Sequence, residues 1–207
     1  MAREEPDGHS LIVATVGPVA TQPHVTDLPY GRDDFEPIML AWAEPYVLIT
    51  GSHTGWTSLE DFIQAAKESP GEITYGATPA GGMHHVATAQ LEEAAGIDLN
   101  TVPYQGSGPA LTAMLGGHVD VIVTLPSQFA SQMGTGNINA LGIFASERSP
   151  YLPEVPTMSE QGYELVASWR EAHERFWTAS VPGITIDDAT VVAAERFRLV
   201  ERLDPDA

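Results

Sequence analysis

The chain predicts an α/β fold built on parallel strand pairing, and three observations carry that prediction. From Gly51 to Ala145, short apolar runs alternate with amphipathic stretches at helical spacing, the pattern of βαβ units. Val119 to Leu125 is a β-branched run typical of a strand buried on both faces. The chain has 207 residues, 43% of them hydrophobic, which leaves room for one large domain or two small ones.

The elements follow in order. Leu11 to Ala14 reads as a short buried strand, and Pro18 to Tyr30 as a loop rich in Pro and Thr. Phe35 to Ala43 and Pro45 to Thr50 are apolar runs that read as strands. Ser58 is positioned to cap a helix, with Asp61 three residues on in a weak form of the capping box. Leu59, Phe62, Ile63 and Ala66 form that helix's apolar face, and Ser69-Pro70-Gly71 ends it. Ile73 to Tyr75 is the next strand and His84 to Ala95 the next helix, stopped by Gly96. Asn100 to Val102 is a strand. Pro109 to Leu115 is a helix with Leu111, Met114 and Leu115 on one side. Ser127 to Met133 is a short helix, and Ile138 to Ala145 a strand.

Between the strand at Ile73 and the helix at His84 lies Gly-Ala-Thr-Pro-Ala-Gly-Gly-Met, Gly76 to Met83. A small-residue loop at a helix start leaves backbone N–H groups free where the helix dipole favours negative charge. The spacing Gly76-x4-Gly81 is that of a phosphate loop. Gly82 and Met83 stand where such a loop has Lys and then Ser or Thr, so the anion predicted is smaller, most simply a carboxylate. A tight turn without a ligand is the other reading of the same residues.

Composition excludes several classes. Nine basic residues against 28 acidic ones give a net charge of −19, with Lys67 the only lysine. No basic patch is available to neutralise phosphates, so nucleic acid is not an expected partner. The acidic, lysine-poor balance fits a surface adapted to high salt; codon bias toward arginine in an ordinary acidic protein is the alternative. There is no cysteine, hence no disulfide, thiolate nucleophile or cysteine metal site. No run approaches the roughly 20 apolar residues of a membrane span. Met1 to Pro6 carries no apolar signal core.

His84 and His85 invite a metal reading. Adjacent residues on a helix diverge by about 100°, and no third ligand stands at helical spacing, so no metal or other cofactor is expected. Ser107, His118 and Asp120 could be assembled into a triad on paper. Gln105 stands where a nucleophile elbow needs its first glycine, so no catalytic residue is assigned.

Five strings stand in a telling order, of which Val102 to Ser107 and Pro153 to Gly162 are specific when taken together. They are Pro6-Asp-Gly-His-Ser-Leu11, Asp33-Asp-Phe-Glu-Pro-Ile38, Val102-Pro-Tyr-Gln-Gly-Ser107, Leu115-Gly-Gly-His-Val-Asp-Val-Ile122 and Leu152-Pro-Glu-Val-Pro-Thr-Met-Ser-Glu-Gln-Gly162. In this order the chain resembles the substrate-binding proteins of tripartite tricarboxylate transporters, the Bug-type receptors, from about Pro6 to about Trp169. The resemblance implies a type II periplasmic-binding-protein fold of two lobes with an incomplete first lobe. Residues 1–50 would be a first-lobe portion, 51–162 the second lobe, and 163–207 a divergent first-lobe return segment. It implies a monomeric, non-enzymatic receptor, periplasmic or extracellular. Such a receptor binds a small carboxylate in an interlobe cleft and presents it to membrane permease subunits. In the family a strand and helix precede the Pro-Asp-Gly segment, so truncation at the N-terminus is expected.

Three loops then become candidate site elements. In the first, Thr78, Ala80, Gly81, Gly82 and Met83 would offer a hydroxyl and backbone donors; Pro79 has no N–H. The family often has serine where Gly82 stands. In the second, Tyr104 brings a ring and hydroxyl, with Gly106 and Ser107 for the far end of a ligand; the family often has lysine at the position of Gln105. The third is the strand end at Thr124. A hydrolase, or a truncated copy that binds nothing, are the alternatives to a receptor.

Overall fold

The structure is a computed structural model that describes residues 12, 27–31, 34–35, 44–78 and 82–165. The chain divides into two compact units, Glu44–Trp169 and Met1–Ala43 with Arg170–Ala207. The expected strand at 11–14 is seen only at Ile12, which is irregular and exposed; the rest of it, and the expected strand from 36 to 43, lie outside the described residues. In the same unit Gly31 N–H donates to the Asp34 carboxylate at 2.7 Å, closing a turn flanked by the edge-on rings of Tyr30 and Phe35.

The larger unit is a five-stranded sheet with helices. Its strands are β1 (Tyr46–Gly51), β2 (Thr74–Ala77), β3 (Asn100–Pro103), β4 (Val121–Thr124) and β5 (Ile138–Phe144). Its helices are α1 (Leu59–Glu68), α2 (Met83–Ala95), α3 (Ser107–Leu115) and the single turn α4 (Pro126–Phe129). The strand order is β3-β2-β4-β1-β5. β2 lies parallel to both β3 and β4, as the alternation predicts. β1 does not follow that pattern. It runs antiparallel to β4 and β5 and stands between them, so Tyr46 to Thr50 form the middle of this sheet and not part of a separate first lobe. Helical crossovers favour parallel strands, but β1 enters from outside the run of crossovers and is free to take the opposite direction.

Burial explains the order. Every residue of β1 and β4 is buried, so both are central strands with covered faces. Val47, Ile49 and Ile122 pack with Ala110, Ala113 and Met114 of α3, Phe129 of α4, Leu152 and Val155. By strand alternation Tyr46, Leu48 and Val123 look to the other face. On the α3 face close approach is specified by glycine: a Cβ on Gly76 would lie 2.8 Å from Ile122 Cγ2 and 3.4 Å from Ala110 Cβ. The groove-side face of α3 is Ala110, Ala113 and Met114, and Leu115 is exposed, contrary to the predicted Leu111–Met114–Leu115 stripe. Small alanines let the helix come close to the sheet, which turns the larger Leu115 outward.

α1 is built as its sequence reads. Ser58 Oγ accepts the Asp61 N–H and Asp61 accepts the Ser58 N–H, a complete capping box. Bonds from the Thr57 backbone and the Ser58 and Thr57 hydroxyls hold the Asp61 carboxyl below its usual range. Leu59, Phe62, Ile63 and Ala66 are the buried face. Each large side chain so buried contributes about 1.5–3 kcal/mol. Trp56 is half-buried, edge-on to Phe62. Among the described residues no helix is long and apolar enough to cross a membrane.

Candidate functional site

Because β2, β3 and β4 are adjacent and parallel, their carboxyl ends meet at one edge of the sheet. Each end carries one of the predicted loops. The pairing Ala77↔Pro103 puts Thr78 next to Tyr104, and Tyr104 N–H donates to Ala77 O at 2.8 Å. Two helices, α2 and α3, begin at this edge, so the positive ends of two dipoles and their first N–H groups gather there.

The start of α2 is capped by Gly82, whose side-chain-free backbone supplies no capping bond. The helical ladder opens with Val86 donating to Gly82 O at 3.1 Å. Among the described residues no acceptor takes the N–H groups of Met83, His84 or His85. Ala80 and Gly81 lie outside the described residues. Thr78 follows β2, and its Oγ1 is buried without a hydrogen-bond partner among the described residues.

α3 begins at Ser107, two residues before the predicted Pro109. Gly106 caps it at φ 142°, a conformation that only glycine adopts readily. Pro109 fits inside the first turn because its missing N–H has no intrahelical partner to lose. Ala110 donates to Gly106 O at 3.3 Å, and among the described residues the N–H groups of Ser107 and Gly108 have no acceptor. A Cβ on Gly106 or Gly108 would meet nothing within 4 Å, so the space in front of this helix is open. Tyr104 is half-buried and packs against the core beside it.

Thr124 is placed differently from the expectation. Its side chain is fully buried and its hydroxyl donates to Gln128 Oε1 at 2.5 Å. It therefore orients an exposed amide, Gln128, whose NH₂ has no acceptor among the described residues. The i,i+4 spacing of the two residues was the available signal. Glu44 also went unnoticed in the sequence. Its carboxylate accepts the Ser127 N–H at 3.1 Å, so one backbone amide at this edge already holds a carboxylate.

The two histidines separate. His85 is exposed, whereas His84 turns its ring onto Tyr46, edge to face with centroids 4.7 Å apart. The packing role falls to His84. Burial pushes the His84 imidazole down to about 4, so it is neutral near pH 7. Its Nε2 is buried without a partner among the described residues. Among the described residues no three His, Asp or Glu side chains come together as a metal site.

The paper triad is taken apart by topology. Ser107 opens α3 at the carboxyl edge, while Asp120 precedes β4 at the amino edge, a helix length of roughly 13 Å away at 1.5 Å per residue. Asp120 binds Thr74 N–H at 2.8 Å and Thr74 Oγ1 at 2.6 Å, and faces His53 at 3.5 Å. Two hollows in the described part lie away from the carboxyl edge. One of about 690 Å³ runs along α1 between Glu60, Lys67, Glu68 and Tyr163. Another of about 270 Å³ lies at the amino edge between His53, Trp56, Glu72 and Asp120. Volume alone does not make either a carboxylate site: each sets two carboxylates against an anion, and the carboxyl edge sets unpaired N–H donors toward it.

Known proteins agree with this architecture. The model of the tripartite tricarboxylate transporter family receptor matches residues 1–171. BugT of Bordetella pertussis is 33% identical over 171 residues, which are 81% of this chain and 52% of BugT. The chain spans about half the length of the curated relatives it matches. The solved periplasmic binding protein BugD is 28% identical, with a TM-score of 0.68 over 79% of this chain and 55% of BugD. MatC of Rhodopseudomonas palustris, solved with bound malate, has the same fold at 24% identity. Its TM-score is 0.74 over 99% of this chain and 81% of MatC. The chain thus has the fold of the periplasmic binding proteins and belongs to the receptor family of tripartite tricarboxylate transporters.

Proposed function

We propose that the chain is a solute-binding receptor that takes a small carboxylate at the carboxyl edge of the β3-β2-β4 strands and performs no chemistry on it. The observation that carries this is the meeting of two helix starts whose first N–H groups have no acceptor among the described residues. The described basic side chains lie elsewhere: Arg148 is paired with Glu160 and Lys67 sits on α1. Recognition therefore rests on neutral donors, namely Gly82, Met83 and His84 amides on one side and Gly106, Ser107 and Gly108 amides on the other. Thr78, Tyr104 and Gln128 add side-chain groups, with Ala80 and Gly81 in the connecting loop. Each amide-to-carboxylate bond contributes about 1.5–3 kcal/mol.

In this reading the partners are a carboxylate ligand and the membrane permease subunits of the transporter, with the receptor working as a monomer in the periplasm or outside the cell. Residues 51–162 with the preceding strand β1 form the ligand-facing lobe. Calorimetric titration of the 207-residue chain with malate and citrate tests the proposal. Saturable binding of either, with no turnover of ester or amide substrates, is the expected result. Absence of binding across mono-, di- and tricarboxylates sinks it, as does hydrolysis abolished by Ser107→Ala.

A further inference from the structure

We propose that His84 is a positioning residue for the carboxylate cradle, that its neutral ring holds the first turn of α2 in place, and that protonation of the ring releases the ligand. The inference rests on the carboxylate reading above. His84 is the second residue of α2 and contributes one of the open N–H groups. Its carbonyl accepts two bonds, from Tyr75 Oη at 3.2 Å and Thr88 Oγ1 at 3.0 Å. Its ring lies edge-on to Tyr46. One residue therefore ties the start of α2 to β1 through its side chain and to β2 through its main chain.

The surroundings suit the neutral ring and not the charged one. The Nε2 atom is buried and has no acceptor among the described residues, so a second ring proton would have no partner there. Among the described residues the groups facing His84 carry no compensating charge. From β1 comes the Tyr46 ring. From β2 comes the Tyr75 phenol, a neutral donor that burial pushes up to about 12. From α2 itself comes the Thr88 hydroxyl; Glu92 on the same helix acts on Tyr75. Burial is the cause that shifts His84 itself. An imidazolium here would also stand at the positive end of the α2 dipole. Charging His84 favours a conformer with the ring in water, the Tyr46 contact broken and the first turn of the cradle loosened.

The test compares the wild-type chain with His84→Phe, which keeps a ring against Tyr46 and carries no proton. Malate affinity is measured by calorimetry from pH 7.5 to 3.5; ionisation of malate itself cancels in the ratio of the two proteins. The wild-type dissociation constant should rise relative to the variant by about twofold at pH 4 and about fourfold at pH 3.5. In the wild type alone, malate should lower the midpoint of the His84 ring titration followed by NMR, a readout that holds even if the variant folds poorly. A ratio independent of pH, tighter wild-type binding in acid, or a ring titration untouched by malate overturns the inference. If neither protein binds malate or citrate at pH 7.5, the carboxylate reading falls and this inference with it.

Discussion

The two edges of one sheet treat their polar groups in opposite ways. At the amino edge they are spent on each other. Asp120 accepts both the N–H and the hydroxyl of Thr74, its own N–H returns to Thr74, and its carbonyl takes Thr50 Oγ1 at 2.8 Å. Thr54 then bonds to Thr50. This lattice stitches the start of β2 to β4 and the end of β1. At the carboxyl edge the corresponding positions are Met83, His84, His85, Ser107 and Gly108 at two helix starts, and their N–H groups have no acceptor among the described residues. Satisfied polar groups stabilise a fold, whereas preorganised open ones can bind.

The contrast can be broken first at Asp120. Asp120→Ala leaves Thr74 N–H without its acceptor and should cost about 3 kcal/mol of unfolding free energy, measured by urea denaturation. Carboxylate affinity of the folded fraction should stay within about twofold. A variant equally stable but unable to bind would assign the amino edge a part in recognition.

Met83→Pro asks the reverse question. Proline is accepted at the first helical position, and Gly82 already has the extended backbone, φ −77° and ψ 157°, that precedes proline comfortably. One cradle N–H disappears while the helix remains. Carboxylate binding should weaken by about 1.5–3 kcal/mol, roughly 10- to 150-fold, with stability changed by less than about 1 kcal/mol. Unchanged affinity would place the ligand elsewhere.

What could be read in advance follows the same division. The capping box at Ser58 and Asp61, and the buried face of α1, are local patterns, so the sequence states them directly. So are the glycine-rich stretches that precede α2 and α3. The direction of β1 is not local: nothing in Tyr-Val-Leu-Ile-Thr-Gly records that it enters antiparallel between β4 and β5. Nor does a threonine at a strand end show whether its hydroxyl faces a ligand or, like that of Thr124, a neighbouring Gln128. His84 and His85 differ by one helical step, and the contact with Tyr46 falls to the half-buried His84 while His85 is exposed.

Acid should act on stability through His84. Its ring is pushed down to about 4 in the folded chain, from an ordinary value near 6.5. The unfolded chain therefore binds more protons between those values. The contribution of the neutral ring is fully present above about pH 6.5 and is lost as pH falls toward 4, at up to about 1.4 kcal/mol per pH unit. Denaturation series for the wild type and His84→Phe should diverge in that window and run parallel above it. Parallel curves throughout would mean that the ring titrates as freely as it does in the unfolded chain.

Salt gives the smallest effect and separates the edge from the surface as a whole. A chain with a net charge of −19 repels a carboxylate at long range, while open amides attract it at contact. Raising the salt shortens the Debye length from about 10 Å at 0.1 M to about 3 Å at 1 M, which screens the first interaction far more than the second. The same screening relieves repulsion among the 28 acidic side chains and favours the compact state. Thermal scans over this range should show the melting temperature rising by a few degrees, on the order of 1 kcal/mol. Calorimetric titrations with malate over the same range should show affinity unchanged or slightly improved. Salt-independent melting removes the reading of a surface adapted to high salt. Affinity that falls steeply with salt would mean that exposed cations capture the ligand, and that the neutral N–H groups of Gly82, Met83 and His84 do not.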